Sequence, residues 1–144
     1  MVDLAPRIVA IDYGKKRVGV AMADPLRLFA QPHGTFPPNE VIDALRVIDM
    51  RDGIACIVVG WPYELDGTEG PSTRFVEPFF HRLRRVFKRA EVVKWDERYT
   101  SHEARQRILR AGIGRKGRRE KERIDANAAA VLLQDYLDAH PSES

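Results

Sequence analysis

The stretch VAIDYGKKRVGVAMAD, residues 9–24, decides how this chain begins and where its chemistry lies. Two apolar, β-type runs flank the short polar segment GKK, which is the pattern of a β-hairpin. Asp12 stands directly after the first apolar run, and three cations follow it within five residues. Burying an unpaired carboxylate is costly, so Asp12 requires a partner. That partner is a lysine or arginine, a metal ion or a phosphate-bearing ligand.

Beyond the hairpin, strand and helix patterns alternate in the order β-β-β-α-β-α-β-α-α. Strands are predicted over residues 7–13, 17–23, about 26–36, 55–60 and 91–97, with a loop over 61–72. The first helix is predicted to begin after an Asn39 cap and to stop at Gly53, and the second to cover 75–87, with Pro78 as a kink or as its true start. Two more helices are predicted over 100–112 and 124–138. The last helix is expected to turn five residues inward: Ile124, Ala128, Val131, Leu132 and Tyr136. This order predicts an α/β fold, a mixed five-stranded sheet with helices on both faces.

The length of 144 residues suits one domain, so we expect a single domain over 1–144 with its core at about 7–138. The longest uncharged apolar run, IACIVVGWP from Ile54, is far too short to span a bilayer. The N-terminus lacks the features of a secretory signal. These observations predict a cytoplasmic protein with no membrane partner. The single cysteine, Cys56, lies in an apolar run and is expected to pack as a small hydrophobe.

Positive charge is concentrated in one segment of the chain. Residues 105–123 carry nine Lys or Arg against two Glu, a net charge of +7, whereas the whole chain has a net charge of +3. Such a segment on a mildly acidic body favours a polyanionic partner, of which nucleic acid is the commonest. The alternative is a solvated loop that binds nothing.

Acidic residues stand where predicted strands and helices begin or end, which is where open α/β sheets bind ligands. Asp12 ends the first strand, Asp96 and Glu97 end the last, and Asp125 lies in the first turn of the predicted final helix. Each has a structural alternative. Asp12 could pair with Lys16 or Arg17, Glu97 with Arg98, and Asp125 could complement the helix dipole.

Three such acids from separate elements could instead converge, and carboxylates that converge repel one another unless a divalent cation lies among them. Oxygen ligands suit Mg²⁺ or Mn²⁺, and the chain lacks the Cys and His cluster of a zinc site. Two ions roughly 3.5 to 4 Å apart could serve hydrolysis of a phosphodiester, with the neighbouring cations holding the phosphate backbone. Strand alternation points either Asp96 or Glu97 inward, and the sequence leaves that choice open.

Four segments together resemble the YqgF/RuvX family: DYGKKRVGVAMAD, VVGWPYELDGTEG, DERYTS and IDANAAAVLLQDYLD. The likeness runs from about Arg7 to Asp138, with the motifs in the family's order and spacing. Members of that family have an RNase H-like fold and are described as Holliday junction resolvases or as nucleases that mature the ends of the small-subunit ribosomal RNA precursor. The resemblance therefore implies a metal-dependent nuclease that acts on RNA precursor or branched DNA.

Carried onto this chain, the resemblance implies that Asp12, Glu97 and Asp125 are the catalytic, metal-binding acids for two Mg²⁺ or Mn²⁺ ions. It implies that Lys16, Arg17 and Arg98 contact the scissile phosphate. Other basic residues would hold the flanking backbone: Arg115, Lys116, Arg118, Arg119, Lys121 and Arg123. Gly60, Pro62, Gly67 and Gly70 match the family's glycine-rich loop. Ala23 and Trp61 depart from its usual serine and leucine, which leaves fine substrate preference in doubt.

Two other functions remain open at this point. An actin-like ATP-binding protein shares the aspartate and glycine before a hairpin, but it needs two such domains. A non-catalytic nucleic-acid-binding module would use the basic segment alone. The sequence also leaves open whether the substrate is RNA or DNA. It does not decide whether the protein is a monomer or the homodimer that junction cleavage needs. Trp61 and Tyr63 could stack on a base or anchor their loop to the core.

Overall fold

A computed structural model describes residues 5–97 and 118–141, without the side chains of residues 118–125. Five strands form one sheet in the order β3-β2-β1-β4-β5. The strands are Arg7–Tyr13 (β1), Val18–Ala23 (β2), Ala30–Phe36 (β3), Ile54–Trp61 (β4) and Glu91–Asp96 (β5). The helices are Val41–Arg51 (α1), Pro71–Val86 (α2) and Arg118–Ala139 (α3). Strands β1, β2 and β3 pair antiparallel, whereas β1, β4 and β5 pair parallel, so the predicted mixed five-stranded sheet is confirmed.

Strand alternation divides the apolar residues between two faces of the sheet. On one face, Val9, Ile11 and Val59 pack against α1 and α2. On the other, Ala10 and Val58 pack against α3. The predicted helices on both faces are therefore confirmed. Among the described residues, none of the helices has the length and apolar character needed to cross a membrane.

The turn between β2 and β3 is longer than predicted, because Asp24 organises residues 24–29. Its carboxylate accepts hydrogen bonds from the backbone N–H groups of Leu26, Leu28 and Phe29 at 3.2, 2.7 and 2.7 Å. These bonds, led by the one from Phe29, hold the pKa of Asp24 below its usual value. Strand β3 therefore begins at Ala30, and the predicted start near Leu26 is wrong.

Two helix starts also differ from prediction. Helix α1 is capped by Glu40 without a side-chain hydrogen bond, so the predicted Asn39 cap is wrong, although Gly53 (φ +80°) follows its end as expected. Helix α2 begins at Pro71 rather than at Phe75 or Pro78. A proline at the first helical position loses no intrahelical bond, which explains why the loop ends there. Pro78 lies inside the helix.

Helix α3 begins at Arg118, six residues before the predicted start. Asp125 is consequently its eighth residue instead of a first-turn residue, which removes the helix-dipole explanation for this acid. Over residues 126–139 of α3, where side chains are described, the buried ones are Ala126, Ala129, Leu132, Leu133 and Leu137. Of the predicted inward set, Leu132 is confirmed, Ala128, Val131 and Tyr136 are only half-buried, and the side chain of Ile124 lies outside the described part. The buried stripe is rotated by roughly a third of a turn because alanines and leucines surround most of the helix. The predicted helix over 100–112 falls outside the described residues.

Candidate active site

Asp12 lies at the carboxyl end of β1, half-buried, on the sheet face covered by α3. In the antiparallel pairing it lies opposite Gly19, and its alternation with Ala10 assigns it to the α3 face. The parallel register with β4 is described as far as Ile11 and Val59. The next step along both strands brings Asp12 level with Gly60. Asp12 therefore stands beside a position without a side chain.

Glu97 follows β5 directly, and its side chain lies over Gly60. A Cβ atom built on Gly60 would be 2.6 Å from Glu97 Oε1 and 3.2 Å from Leu132 Cδ2 of α3. The Glu97 carboxylate thus lies on the α3 face, as Asp12 does. Asp96 is in register with Trp61, whose side chain packs on the opposite face, so Asp96 points away from Asp12. The tertiary structure thereby decides the choice that the sequence leaves open, in favour of Glu97.

Asp12 and Glu97 are brought together across β4. Two strand spacings separate β1 from β5, about 9.6 Å, and the Glu97 side chain reaches back over the intervening strand. Both donors are carboxylate oxygens, the donor type that suits Mg²⁺ or Mn²⁺. No group of three or more His, Cys, Asp or Glu residues arranged for a metal occurs within the described residues. The third predicted acid, Asp125, lies in α3 with its side chain outside the described part.

The predicted cations divide into three groups by position. Lys16 is exposed and Arg17 half-buried in the β1–β2 turn, where the Gly14 N–H donates to the Arg17 carbonyl at 3.0 Å. A Cβ on Gly14 would lie 2.6 Å from that carbonyl oxygen, so this tight turn requires glycine. Arg98, Arg115 and Lys116 fall outside the described residues. The remaining four lie in α3 with side chains outside the described part: Arg118, Arg119, Lys121 and Arg123.

The loop after β4 is anchored by Trp61, which is the last residue of the strand and fully buried. Its Nε1–H donates to Glu69 Oε1 at 2.9 Å. Lys94 Nζ lies 4.1 Å from the Trp61 ring centroid and 3.9 Å from Glu69 Oε1. Trp61 therefore anchors the loop to the core and is not available to stack on a base. The prediction that Trp61 belongs to the loop is wrong, because Trp61 pairs with Asp96 as the last residue of β4.

Glu69 and Lys94, which complete this anchor, were not singled out from the sequence. Alternation along β5 places Lys94 on the same face as Val92, which packs against the α2 side. That signal is readable in the sequence. The contact between Lys94 and Trp61 cannot be read from the sequence, because it depends on the register between β4 and β5.

Cys56 is buried on the α3 side of β4, as predicted for a small hydrophobe. Its Sγ lies 3.8 Å from the Tyr136 hydroxyl, and burial raises the pKa of the Cys56 thiol. Burial also raises the pKa of Tyr136, to about 12. A thiol kept protonated is a poor nucleophile, so Cys56 serves packing.

The family model described as RuvX, Holliday junction resolvase, matches residues 6–139. The chain belongs to this family. Similar proteins include one from Salinibacter ruber, which is 52% identical, and one from Chlorobium phaeobacteroides, which is 42% identical. Each comparison covers 92% of this chain and 92% of the relative. Both carry the name "Putative pre-16S rRNA nuclease". The match agrees with the four motifs that carry the sequence resemblance.

Solved structures of similar fold include Thermus thermophilus RuvC in complex with a Holliday junction substrate, with a TM-score of 0.59 at 11% identity. That comparison covers 96% of this chain and 98% of that chain. A second Thermus thermophilus RuvC structure has a TM-score of 0.54 at 12% identity, covering 92% and 96% of the two chains. The fold is RNase H-like. As a YqgF/RuvX member the protein is a nuclease, an enzyme that hydrolyses phosphodiester bonds of nucleic acid, as nucleases of this class do with divalent metal ions. This assignment excludes the ATP-binding and non-catalytic alternatives.

Proposed function

We propose that this nuclease trims the ends of pre-16S ribosomal RNA, with Asp12, Glu97 and Asp125 holding two Mg²⁺ or Mn²⁺ ions. The observation that carries the proposal is the Glu97 carboxylate over Gly60, on the face and edge of the sheet where Asp12 ends β1. Two carboxylates at one sheet edge, reached from strands far apart in the chain, form an oxygen donor set of the kind divalent cations prefer.

The place of Asp125 in the chain supports its membership of this set. Asp125 precedes Leu132 by seven residues, which is about two helical turns, so the two backbone positions share one side of α3. Leu132 is the residue of α3 that packs over Gly60. This shared side of the backbone supports the inclusion of Asp125 in the proposed set.

The chemistry supplied by bound divalent ions is polarisation of the scissile phosphate and activation of water. The protein contributes the carboxylates that hold these ions and the cations that hold the substrate. Lys16 and Arg17 lie in the turn that follows Asp12, and we expect them to contact the scissile phosphate. The basic segment of residues 115–123, together with Arg98, supplies further charge for the flanking backbone. We expect this enzyme to act in the cytoplasm.

The names of the relatives favour RNA as the substrate, whereas the family description names a DNA junction. Resolution of a junction needs two sites related by symmetry. A protein that remains monomeric during cleavage is therefore suited to trimming RNA ends. Cleavage of labelled ribosomal RNA precursor and of a synthetic four-way junction should be compared at one enzyme concentration, with the oligomeric state measured by sedimentation. Preferential cleavage of the junction by a dimer would contradict the proposed substrate.

The acids are tested by one set of substitutions. Asp12→Asn and Glu97→Gln should each reduce cleavage in Mg²⁺ or Mn²⁺ by at least about a hundredfold, because each removes a charged ligand of the ions. Asp96→Asn is the matched control, since it neutralises the adjacent acid on the opposite face. Its cleavage rate should stay within about threefold of wild type. Melting temperatures show whether all three variants fold. Wild-type rates for Asp12→Asn, or equal losses for Asp96→Asn and Glu97→Gln, would refute this site.

A further inference from the structure

Helix α2 and the residues just after it carry a second concentration of positive charge. Residues 71–89 hold six Lys or Arg against one Glu, a net charge of +5. Helix α1 covers the same face of the sheet, and with its flanking residues 40–52 it has two Arg against four acids, a net charge of −2. The positive charge therefore belongs to α2 and not to this side of the molecule in general.

These cations are exposed, and most follow one side of the helix. We call Arg74, Arg82, Arg85, Lys88 and Arg89 the α2 stripe. Val76, Phe79, Phe80 and Leu83 bury the opposite side of α2 in the core. Arg74 and Arg85 are eleven residues apart, which places them about three turns and roughly 16 Å apart along one line of the helix.

The stripe is not neutralised within the described part of the chain. No carboxylate there lies within 4 Å of any of its five cations. Arg82 and Arg85 stand three residues apart on α2, a spacing at which like charges on a helix are neighbours and repel. An anionic partner would relieve this repulsion.

Aromatic contacts connect the stripe to the end of β1. Tyr13, the residue after Asp12, stacks on Phe79 of α2 with ring centroids 4.2 Å apart and contacts Phe75 at 5.3 Å. Lys15 Nζ, in the β1–β2 turn, lies 5.8 Å from the Phe75 ring centroid. Burial raises the pKa of Tyr13, and the charge of Arg82 partly opposes that rise. Lys15 of the hairpin thus lies against α2, over the residue that follows Arg74.

We propose that the α2 stripe binds the phosphodiester backbone of the nucleic acid substrate, outside the segment that is cleaved. The inference rests on the proposed function in that the substrate held by the stripe is the one cleaved at Asp12. A polymer crossing the sheet edge at Lys15 and Lys16 continues along α2 past Arg74 towards Arg89. Arginine contacts to phosphate carry no sequence information. The stripe should therefore raise the affinity for longer nucleic acids, whatever their base sequence.

Binding measured without cleavage tests the stripe separately from the catalytic acids. Fluorescently labelled RNAs of 8 and 30 nucleotides, in two unrelated sequences, are titrated with the full chain in chelator at several salt concentrations. The test variant is Arg82→Gln with Arg85→Gln. The control with the same loss of charge is Arg46→Gln with Arg51→Gln, since those arginines pair with Asp43 and Asp52 on α1. Arg82→Lys with Arg85→Lys keeps the charge.

The stripe variant should bind the 30-nucleotide RNAs roughly five- to thirtyfold more weakly, equally for both sequences. Its slope of log affinity against log salt should fall by about 2. The lysine variant and the α1 control should stay near wild type, and the affinity of the stripe variant for the 8-nucleotide RNAs should change little. Wild-type affinity in the stripe variant, an equal loss in the α1 control, or a loss confined to one sequence would overturn the proposal. If Asp12→Asn loses cleavage but the stripe variant binds RNA like wild type, the proposed role of the stripe is refuted and the proposed catalytic site is not.

Discussion

At the scale of single residues, the proposed site requires Gly60 as well as the acids. Glu97 follows the edge strand β5, and its carboxylate lies over Gly60 of β4, the strand between β5 and the strand of Asp12. A side chain on β4 at that point would fill the space that the carboxylate occupies. Gly60 is therefore a glycine because Glu97 needs its volume, and not because the backbone there adopts a left-handed conformation.

Gly60→Ala should reduce cleavage by roughly a hundredfold while the protein remains folded. The added Cβ would lie 2.6 Å from Glu97 Oε1, which must move by about 1 Å, and displacements of that size are costly in catalysis. Gly34→Ala on β3 is the control, because its Cβ would meet only the Phe36 ring, at 3.2 Å. Cleavage rates and melting temperatures of both variants decide the matter. Equal rates for Gly60→Ala and wild type would show that Glu97 does not need this space.

At the scale of elements, the turn over residues 24–29 fixes α3 against the sheet. Gln134 of α3 accepts a hydrogen bond from the Ala30 N–H at 2.9 Å and donates to the Leu28 carbonyl at 3.0 Å. Asp24 holds the same turn from the β2 side through three backbone N–H groups. The helix that carries Asp125 is thus connected to the turn that Asp24 organises.

Asp24→Asn should lower the free energy of unfolding by about 1 kcal/mol at pH 7, because a neutral amide is a weaker acceptor for these N–H groups. The pKa of Asp24 is depressed in the folded state, so its contribution is present above the unfolded pKa of about 3.9 and is lost as the pH falls through the folded pKa. Urea unfolding at pH 7, 5 and 3 should show the difference between variant and wild type shrinking at pH 3.

Asp43→Asn is the control for this series. Asp43 is an exposed acid that forms an ion pair with Arg46, at 3.4 Å on the surface of α1. Its replacement should change stability at pH 7 by only a few tenths of a kcal/mol. A difference for Asp24→Asn that stays constant from pH 7 to pH 3 would mean that the charge of Asp24 does not stabilise the turn.

At the scale of the whole molecule, metal binding should stabilise the folded chain. A ligand that binds only the folded state at a hundred times its dissociation constant adds about 2.7 kcal/mol. Millimolar Mn²⁺ or Mg²⁺ should therefore raise the melting temperature of wild type by several degrees. Asp12→Asn and Glu97→Gln should lose most of that rise, whereas Asp96→Asn should keep it. The same rise in all four proteins would place the ions elsewhere.

Much of the fold follows from the sequence by itself. The hairpin, the five strands, the helices on both faces and the candidate acids are visible in local periodicity and in short motifs, because these depend on residues close together in the chain. The same short motifs reveal the resemblance to the YqgF/RuvX family. Local pattern is less reliable at the ends of elements. Hydrogen bonds to Asp24 delay the start of β3, and α2 begins at Pro71, ahead of the apolar positions that reveal the helix.

The tertiary structure decided what depends on register between distant segments. It put Glu97, and not Asp96, on the face of the sheet that carries Asp12, buried Trp61 beside Lys94, and rotated the buried stripe of α3 away from the predicted one. Each outcome requires knowing which residue of one strand lies level with which residue of another, or which side of an apolar helix meets the sheet. Such choices are made by packing across the core, where a shift of one residue moves a side chain to the opposite face.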